Sequence, residues 1–128
     1  QLVGSTGRVI AVDLQQGMLD RIRGKIKGTE IEERIVLHKC TKNSIGISDK
    51  VDFVLLFYMV HELPDKDSFF SEIASIMKPT AQALIVEPPF HVSKSAFELS
   101  LIKAQAAGLK LSQCPKLFLN KTAILQKS

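Results

Sequence analysis

The stretch that decides the fold is Gly7–Leu19, which reads GRVIAVDLQQGML. Its first part, Arg8–Asp13, has the apolar run of a buried strand, and Met18 and Leu19 begin the apolar side of a following helix. In open α/β sheets, a strand that ends in an acidic residue before a helix presents that carboxylate to the two hydroxyls of a nucleotide ribose. The stretch therefore predicts a cofactor site in which Asp13 binds the ribose. Capping of the following helix is the alternative role for this carboxylate.

The composition is that of one ordinary globular domain. Of the 128 residues, 45% are hydrophobic and 23% are charged, and no linker or repeat interrupts the chain. Cys40 and Cys114 have neither metal-finger nor C-x-x-C spacing, which favours free thiols, a cytoplasmic location and no metal site. The longest apolar run, Val51–Val60, is too short to cross a bilayer. We therefore expect a single domain over residues 1–128 with no membrane span.

The net charge of +4 raises the question of nucleic acid, which a clustered basic face would attract. Arg21, Arg23, Lys25 and Lys27 alternate along the sequence, so a helix spreads them around its circumference. We therefore expect a solvated helix surface and no specific nucleic-acid partner, with a phosphate contact as the alternative.

Strands and helices alternate along the chain. The predicted strands are Arg8–Asp13, Ile35–His38, Val51–Tyr58 and Ala83–Glu87. The predicted helices are Gln15–Lys27, Asp65–Met77 and a third that a capping box at Ser95 and Glu98 opens and that reaches Ala107. The tail reads as a hairpin of Leu109–Cys114 and Leu117–Leu125 around Pro115. This order predicts an α/β fold, a Rossmann-like three-layer sandwich whose mostly parallel sheet gains one antiparallel strand from the hairpin.

Three motifs, in this order, resemble those of class I S-adenosylmethionine-dependent methyltransferases, in the branch of ubiquinone and menaquinone biosynthesis. VIAVDLQQGML, from Val9, is similar to the family's second strand, and VDFVLLFYMVHEL, from Val51, to its fourth strand and loop. MKPTAQALIVEP, from Met77, resembles the turn into the fifth strand, with Thr80 and Ala81 in place of a Gly-Gly turn. The terminal hairpin is also typical of the family. The resemblance runs from about Gly7 to Lys127.

The resemblance implies S-adenosylmethionine as the cofactor and a small-molecule methyl acceptor that the sequence does not identify. Cys40, with Thr41 beside it, stands near the position where the family often has an Asp that binds the adenine amine. Leu14 and Met18 would lie against adenine, or else belong to the core. The implied cofactor-binding residues are Asp13, Leu14, Met18, Cys40, Thr41 and Phe57.

Two residues just past the third predicted strand are candidates for catalysis. His61 and Glu62 stand at the edge where substrates enter such sheets, and either could act as a general base. A loop whose side chains only hold the turn is the alternative. His91, on a second loop at this edge, is a weaker candidate, and Tyr58 and Phe90 are expected to be pocket walls.

The family's first strand and its glycine-rich turn have no counterpart, so the chain is expected to be an N-terminally truncated domain that begins near the end of the first helix. The strands on either side of the gap would then pair directly or recruit a second copy as a homodimer. We expect methyl transfer, impaired by the truncation. The alternatives are a cofactor-incompetent remnant that acts as an interaction or oligomerisation module and, without a G-x-G-x-x-G turn to support it, half of a nicotinamide-dependent oxidoreductase.

Overall fold

The first of two compact units, Gln1–Gly46, contains a pair of parallel strands. The computed structural model describes residues 6–117 and 119–127. The unit contains β1 (Val9–Asp13), α1 (Gln16–Ile26) and β2 (Ile35–Lys39). β1 pairs with β2 from Val9 opposite Ile35 to Asp13 opposite Lys39. Leu19 and Ile26 on α1 are buried, as the predicted apolar side requires, whereas Met18, predicted on the same side, is 40% exposed.

The second unit, Ile47–Ser128, contains a four-stranded sheet. Its elements are β3 (Val51–Phe57), α2 (Lys66–Ile76), β4 (Met77–Glu87), α3 (Lys94–Ala106), β5 (Leu109–Gln113) and β6 (Lys121–Lys127). The strand order is β3-β4-β6-β5; β3 and β4 are parallel, and β6 runs antiparallel to both of its neighbours. The predicted antiparallel strand from the terminal hairpin is therefore confirmed.

The core of the second unit lies between the sheet and its helices. Its largest fully buried apolar side chains are Phe70, Met77, Ile85, Leu109 and Leu125. In the part of the chain that the structure describes, none of the helices has the length and apolar character needed to cross a bilayer.

The start of β4 differs from the sequence prediction. We expected a turn at Thr80 and Ala81, but β4 begins at Met77 and continues through these residues. Met77 lies opposite Val51, and the regular register resumes only at Gln82, opposite Phe53. The residues between form an irregularity in the ladder, which is where a strand tolerates a proline such as Pro79 because its missing N–H breaks no ladder bond.

The ends of α3 and β6 also differ from the prediction. Ser93 caps α3, since its hydroxyl accepts the Ala96 N–H at 3.1 Å, so the predicted capping box at Ser95 is wrong. β6 begins at Lys121, later than predicted, because the Asn120 N–H is donated to the Leu117 carbonyl in a turn. Phe118, inside the predicted strand, lies outside the described residues.

The sequence led us to expect one continuous sheet. In the described residues, β1 and β2 form one sheet and β3 to β6 form another.

Candidate functional site

The first unit brings Asp13 and Cys40 together at the carboxyl edge of its two strands. The Asp13 carbonyl accepts the Cys40 N–H at 3.0 Å, so the two residues lie side by side just where β1 and β2 end. The Asp13 carboxylate accepts the Gln15 N–H through Oδ1 at 2.8 Å. Gln15, and not Asp13, occupies the N-cap position of α1. Asp13 thus shapes the turn before the helix with Oδ1, and Oδ2 forms no hydrogen bond among the described residues.

Three further residues of this unit were predicted to bind the cofactor, namely Leu14, Met18 and Thr41. Leu14 and Met18 are 42% and 40% exposed, so the alternative that they belong to the core is wrong. Thr41 is engaged in its own loop, because its hydroxyl accepts the Ser44 N–H at 3.1 Å. Its side chain therefore holds the loop after β2.

The second unit contains a histidine held by a buried carboxylate. Glu87, the last residue of β4, is only 2% exposed, and its Oε2 lies 3.0 Å from both the backbone nitrogen and Nδ1 of His61. A carboxylate at this position accepts hydrogen bonds, so Nδ1 is the protonated nitrogen of the neutral ring. Nε2 is then left with a free lone pair. This is the arrangement of a general base whose orientation a second residue fixes.

The residue that follows β3, Tyr58, begins the turn that carries His61 and has a strained backbone. Tyr58 has a φ of 56°, the left-handed region that residues with a side chain seldom adopt. Two hydrogen bonds hold it there: its N–H is donated to the Val86 carbonyl at 2.8 Å and its hydroxyl to Asn120 Oδ1 at 2.6 Å. The strain is therefore compensated by bonds to the sheet, and the sharp turn places His61 beside the end of β4.

A groove of about 280 Å³ lies beside His61 in the second unit. The helix α3 forms one wall with residues that the helical period places on one face, Ala96, Leu99, Ser100 and Lys103. The remaining lining comes from His61, Lys66, His91 and Val92. His61, which the sequence predicted, and His91, its weaker alternative, thus share one groove.

The other predicted residues lie outside this lining. Glu62 is 74% exposed, and its Oε1 is 3.8 Å from His61 Nε2, too far for a hydrogen bond but close enough for a charge to act. Phe57 is 55% exposed, and its ring stacks on Tyr58 with 4.2 Å between centroids. Phe90 is 88% exposed, so it is not a pocket wall as expected.

Sequence reasoning missed the role of Glu87. The signal was present: Glu87 ends a run of buried apolar residues, at the same edge of the sheet where His61 follows β3. An acidic residue at the carboxyl end of a buried parallel strand needs a partner, because an isolated buried charge is costly. Placing the carboxyl ends of β3 and β4 side by side would have predicted the contact between His61 and Glu87.

Comparisons with known proteins agree with this architecture. Residues 1–85 match the family described as "Methyltransferase domain". The demethylmenaquinone methyltransferase of Lactobacillus johnsonii is 31% identical over 86 residues, which are 66% of this chain and 35% of that protein. The demethylmenaquinone methyltransferase of Lactococcus lactis is 28% identical over 101 residues, which are 76% of this chain and 40% of that protein. The chain thus spans well under half the length of these curated relatives.

Solved structures share the fold. A SAM-dependent methyltransferase from Aquifex aeolicus superimposes with a TM-score of 0.83 at 23% identity, over 98% of this chain and 72% of that one. A TehB-like SAM-dependent methyltransferase from Corynebacterium glutamicum gives a TM-score of 0.79 at 15% identity, over 99% of this chain and 72% of that one. Because the family match covers more than half of the sequence, the chain belongs to the methyltransferase-domain family, and it shares the fold of these solved methyltransferases.

Proposed function

We propose that this chain takes part in methyl transfer from S-adenosylmethionine to a small molecule whose hydroxyl is deprotonated by His61. The observation that carries the proposal is the pair of His61 and the buried Glu87 beside a groove. Methyl transfer needs little from side chains except orientation, a dry site and removal of a proton. A fixed imidazole with one free nitrogen supplies the last of these.

The described residues at the end of β1 fit the nucleoside part of the cofactor. Asp13 has one carboxylate oxygen available beyond its bond to Gln15, as a ribose hydroxyl requires. The exposed apolar side chains of Leu14 and Met18 offer surface to adenine, and half-buried Cys40 lies beside Asp13. We propose Asp13 as the ribose ligand, Leu14, Met18 and Cys40 as adenine neighbours, and Thr41 as the residue that holds their loop.

Side chains of the second unit would remove the proton of the acceptor and stabilise the resulting charge. When bound, S-adenosylmethionine supplies a methyl carbon attached to a positively charged sulfur, which makes it a good electrophile. His61 Nε2 receives the proton of the acceptor hydroxyl, while Glu87 holds Nδ1–H and stabilises the charge that the ring gains. Glu62, 3.8 Å from Nε2, adds a second and weaker negative charge. Phe57 offers an exposed aromatic face at the end of β3.

We also propose a homodimer formed through β3. This strand is at the edge of its sheet, and its alternating side chains Phe53, Leu55 and Phe57 are each at least 55% exposed. An exposed apolar edge strand favours pairing with a second copy. Light scattering that gives a monomer mass at all concentrations would contradict the dimer.

A cytoplasmic location and the lack of a specific nucleic-acid partner remain proposals. The spacing of the two cysteines in the sequence, which is that of neither a metal finger nor a C-x-x-C motif, supports a reducing compartment. On α1, Arg23 already bonds Asp20 at 3.3 Å, and the basic side chains there are solvated. Steep loss of any duplex binding with salt would be expected from such a surface.

The test uses methyl-labelled S-adenosylmethionine together with the dialysable small molecules of a cell extract. We expect label to appear in a small molecule, and the His61→Asn variant to slow its appearance by about a hundredfold or more. Cofactor affinity, measured by calorimetry, should be the same in both proteins. Absence of both cofactor binding and label transfer would instead support the alternative, a cofactor-incompetent remnant that acts as an interaction module.

A further inference from the structure

The groove beside His61 is lined by two lysines, Lys66 and Lys103, and by no Asp or Glu of the described residues. Asp67 lies 3.1 Å from Lys103 and neutralises its charge. Lys66 is therefore the cation in the lining that can attract a ligand of opposite sign. The lining therefore favours an anionic ligand over a neutral one.

Lys66 is the cation best placed to meet such a ligand. It is half-buried and is the first residue of α2, where its positive charge opposes the helix dipole. The neighbouring carboxylates are engaged elsewhere: Asp65 accepts the Ser68 N–H, and Asp67 binds Lys103 at 3.1 Å. Among the described residues, Lys66 forms no ion pair. An anion in the groove would relieve both the unpaired charge and the unfavourable dipole.

Part of the groove lining is apolar. Val92, Ala96 and Leu99 line it, and Leu99 is 54% exposed. A volume of about 280 Å³ is just below the usual range of ligand pockets, which suits a single ring better than a fused ring system. Apolar surface together with the unpaired charge of Lys66 fits an aromatic acid.

We propose that the groove binds a single-ring aromatic acceptor that carries both a hydroxyl and a carboxylate. The hydroxyl lies against His61 Nε2, the ring against Leu99, and the carboxylate against Lys66. Lys103, whose charge is shared with Asp67, has a smaller part in binding. This proposal rests on the proposed function, because it assigns the hydroxyl to the base named there.

The test measures binding to the 128-residue chain by NMR titration. The probes are 3-hydroxybenzoate and its neutral methyl ester, at low ionic strength. We expect the acid to bind about tenfold more tightly than the ester and to shift the signals of His61 and the amides of α3. The Lys66→Gln variant should lose most of this preference. Lys94→Gln is the matched control, since Lys94 is the first residue of α3 but does not line the groove.

Equal affinity for acid and ester would overturn the proposal. An equal loss in Lys66→Gln and Lys94→Gln would overturn it too, because that result would mean only general attraction to a basic protein. Cofactor binding is measured separately. If the acid binds but S-adenosylmethionine does not, the proposed function fails and the groove assignment stands. If S-adenosylmethionine binds but the acid does not, the groove assignment fails and the proposed function stands.

Discussion

Glu87 shows how one residue determines what another can do. A carboxylate that is 2% exposed loses its hydration, and the two hydrogen bonds from His61 offset that loss through Oε2. Its Oε1 is buried with no hydrogen-bond partner among the described residues. The same bonds that stabilise the carboxylate fix the imidazole. The sequence predicted His61 because of its place after β3, but the tautomer of its ring depends on a contact between residues 26 positions apart.

Replacing Glu87 tests this dependence. In Glu87→Gln the side chain keeps an acceptor but loses the charge, and it can also donate, so the ring is no longer restricted to the tautomer with Nδ1–H. We expect nitrogen NMR of the His61 ring to show a mixture of tautomers, and methyl transfer to fall by roughly tenfold to a hundredfold. Glu98→Gln, on the exposed surface of α3, is the control. An unchanged ring spectrum in Glu87→Gln would show that Glu87 does not position His61.

At the scale of elements, periodicity predicted the helices and strands, but not all of their ends. Two serines near the start of α3, Ser93 and Ser95, are both good caps, and the sequence favoured Ser95 because Glu98 follows at capping-box spacing. The backbone enters the helix earlier, and Ser93 caps it. In the same way, the motif from Met77 indicated a turn at Thr80 and Ala81, but β4 continues through these residues with an irregularity in its ladder. Such choices depend on tertiary register, which local pattern does not contain.

The two serines provide a matched pair of substitutions. Ser93→Ala removes the acceptor for the Ala96 N–H and should lower the free energy of unfolding by about 1 kcal/mol. Ser95→Ala, inside the helix, should change it by much less. Thermal or urea unfolding of both variants measures the difference. A larger loss in Ser95→Ala would restore the capping box that the sequence indicated.

For the whole molecule, the sequence predicted the α/β class, four parallel strands and the antiparallel strand of the hairpin, but not which strands pair. These features follow from buried apolar runs and from the short connection between the last two strands. The division into two units, Gln1–Gly46 and Ile47–Ser128, was not predicted, because no linker or change of composition marks the boundary in the sequence. The sequence singled out His61, His91 and Asp13 as candidates. It did not predict the contact between His61 and Glu87, because that contact joins the ends of two strands that are distant in the sequence.

The central claim is that this chain uses Asp13 to bind the ribose of S-adenosylmethionine. Asp13→Asn tests it sharply, because the amide oxygen still accepts the Gln15 N–H, while the second carboxylate oxygen is replaced by a donor. Asp20→Asn, on the exposed side of α1, is the control.

Calorimetric titration of the three proteins with S-adenosylmethionine is the most direct measurement. We predict that the parent and Asp20→Asn proteins bind with equal affinity and that Asp13→Asn binds at least about tenfold more weakly, the loss expected for a hydrogen bond to a charged group. Absence of binding by the parent, or equal affinity in Asp13→Asn, would contradict the claim.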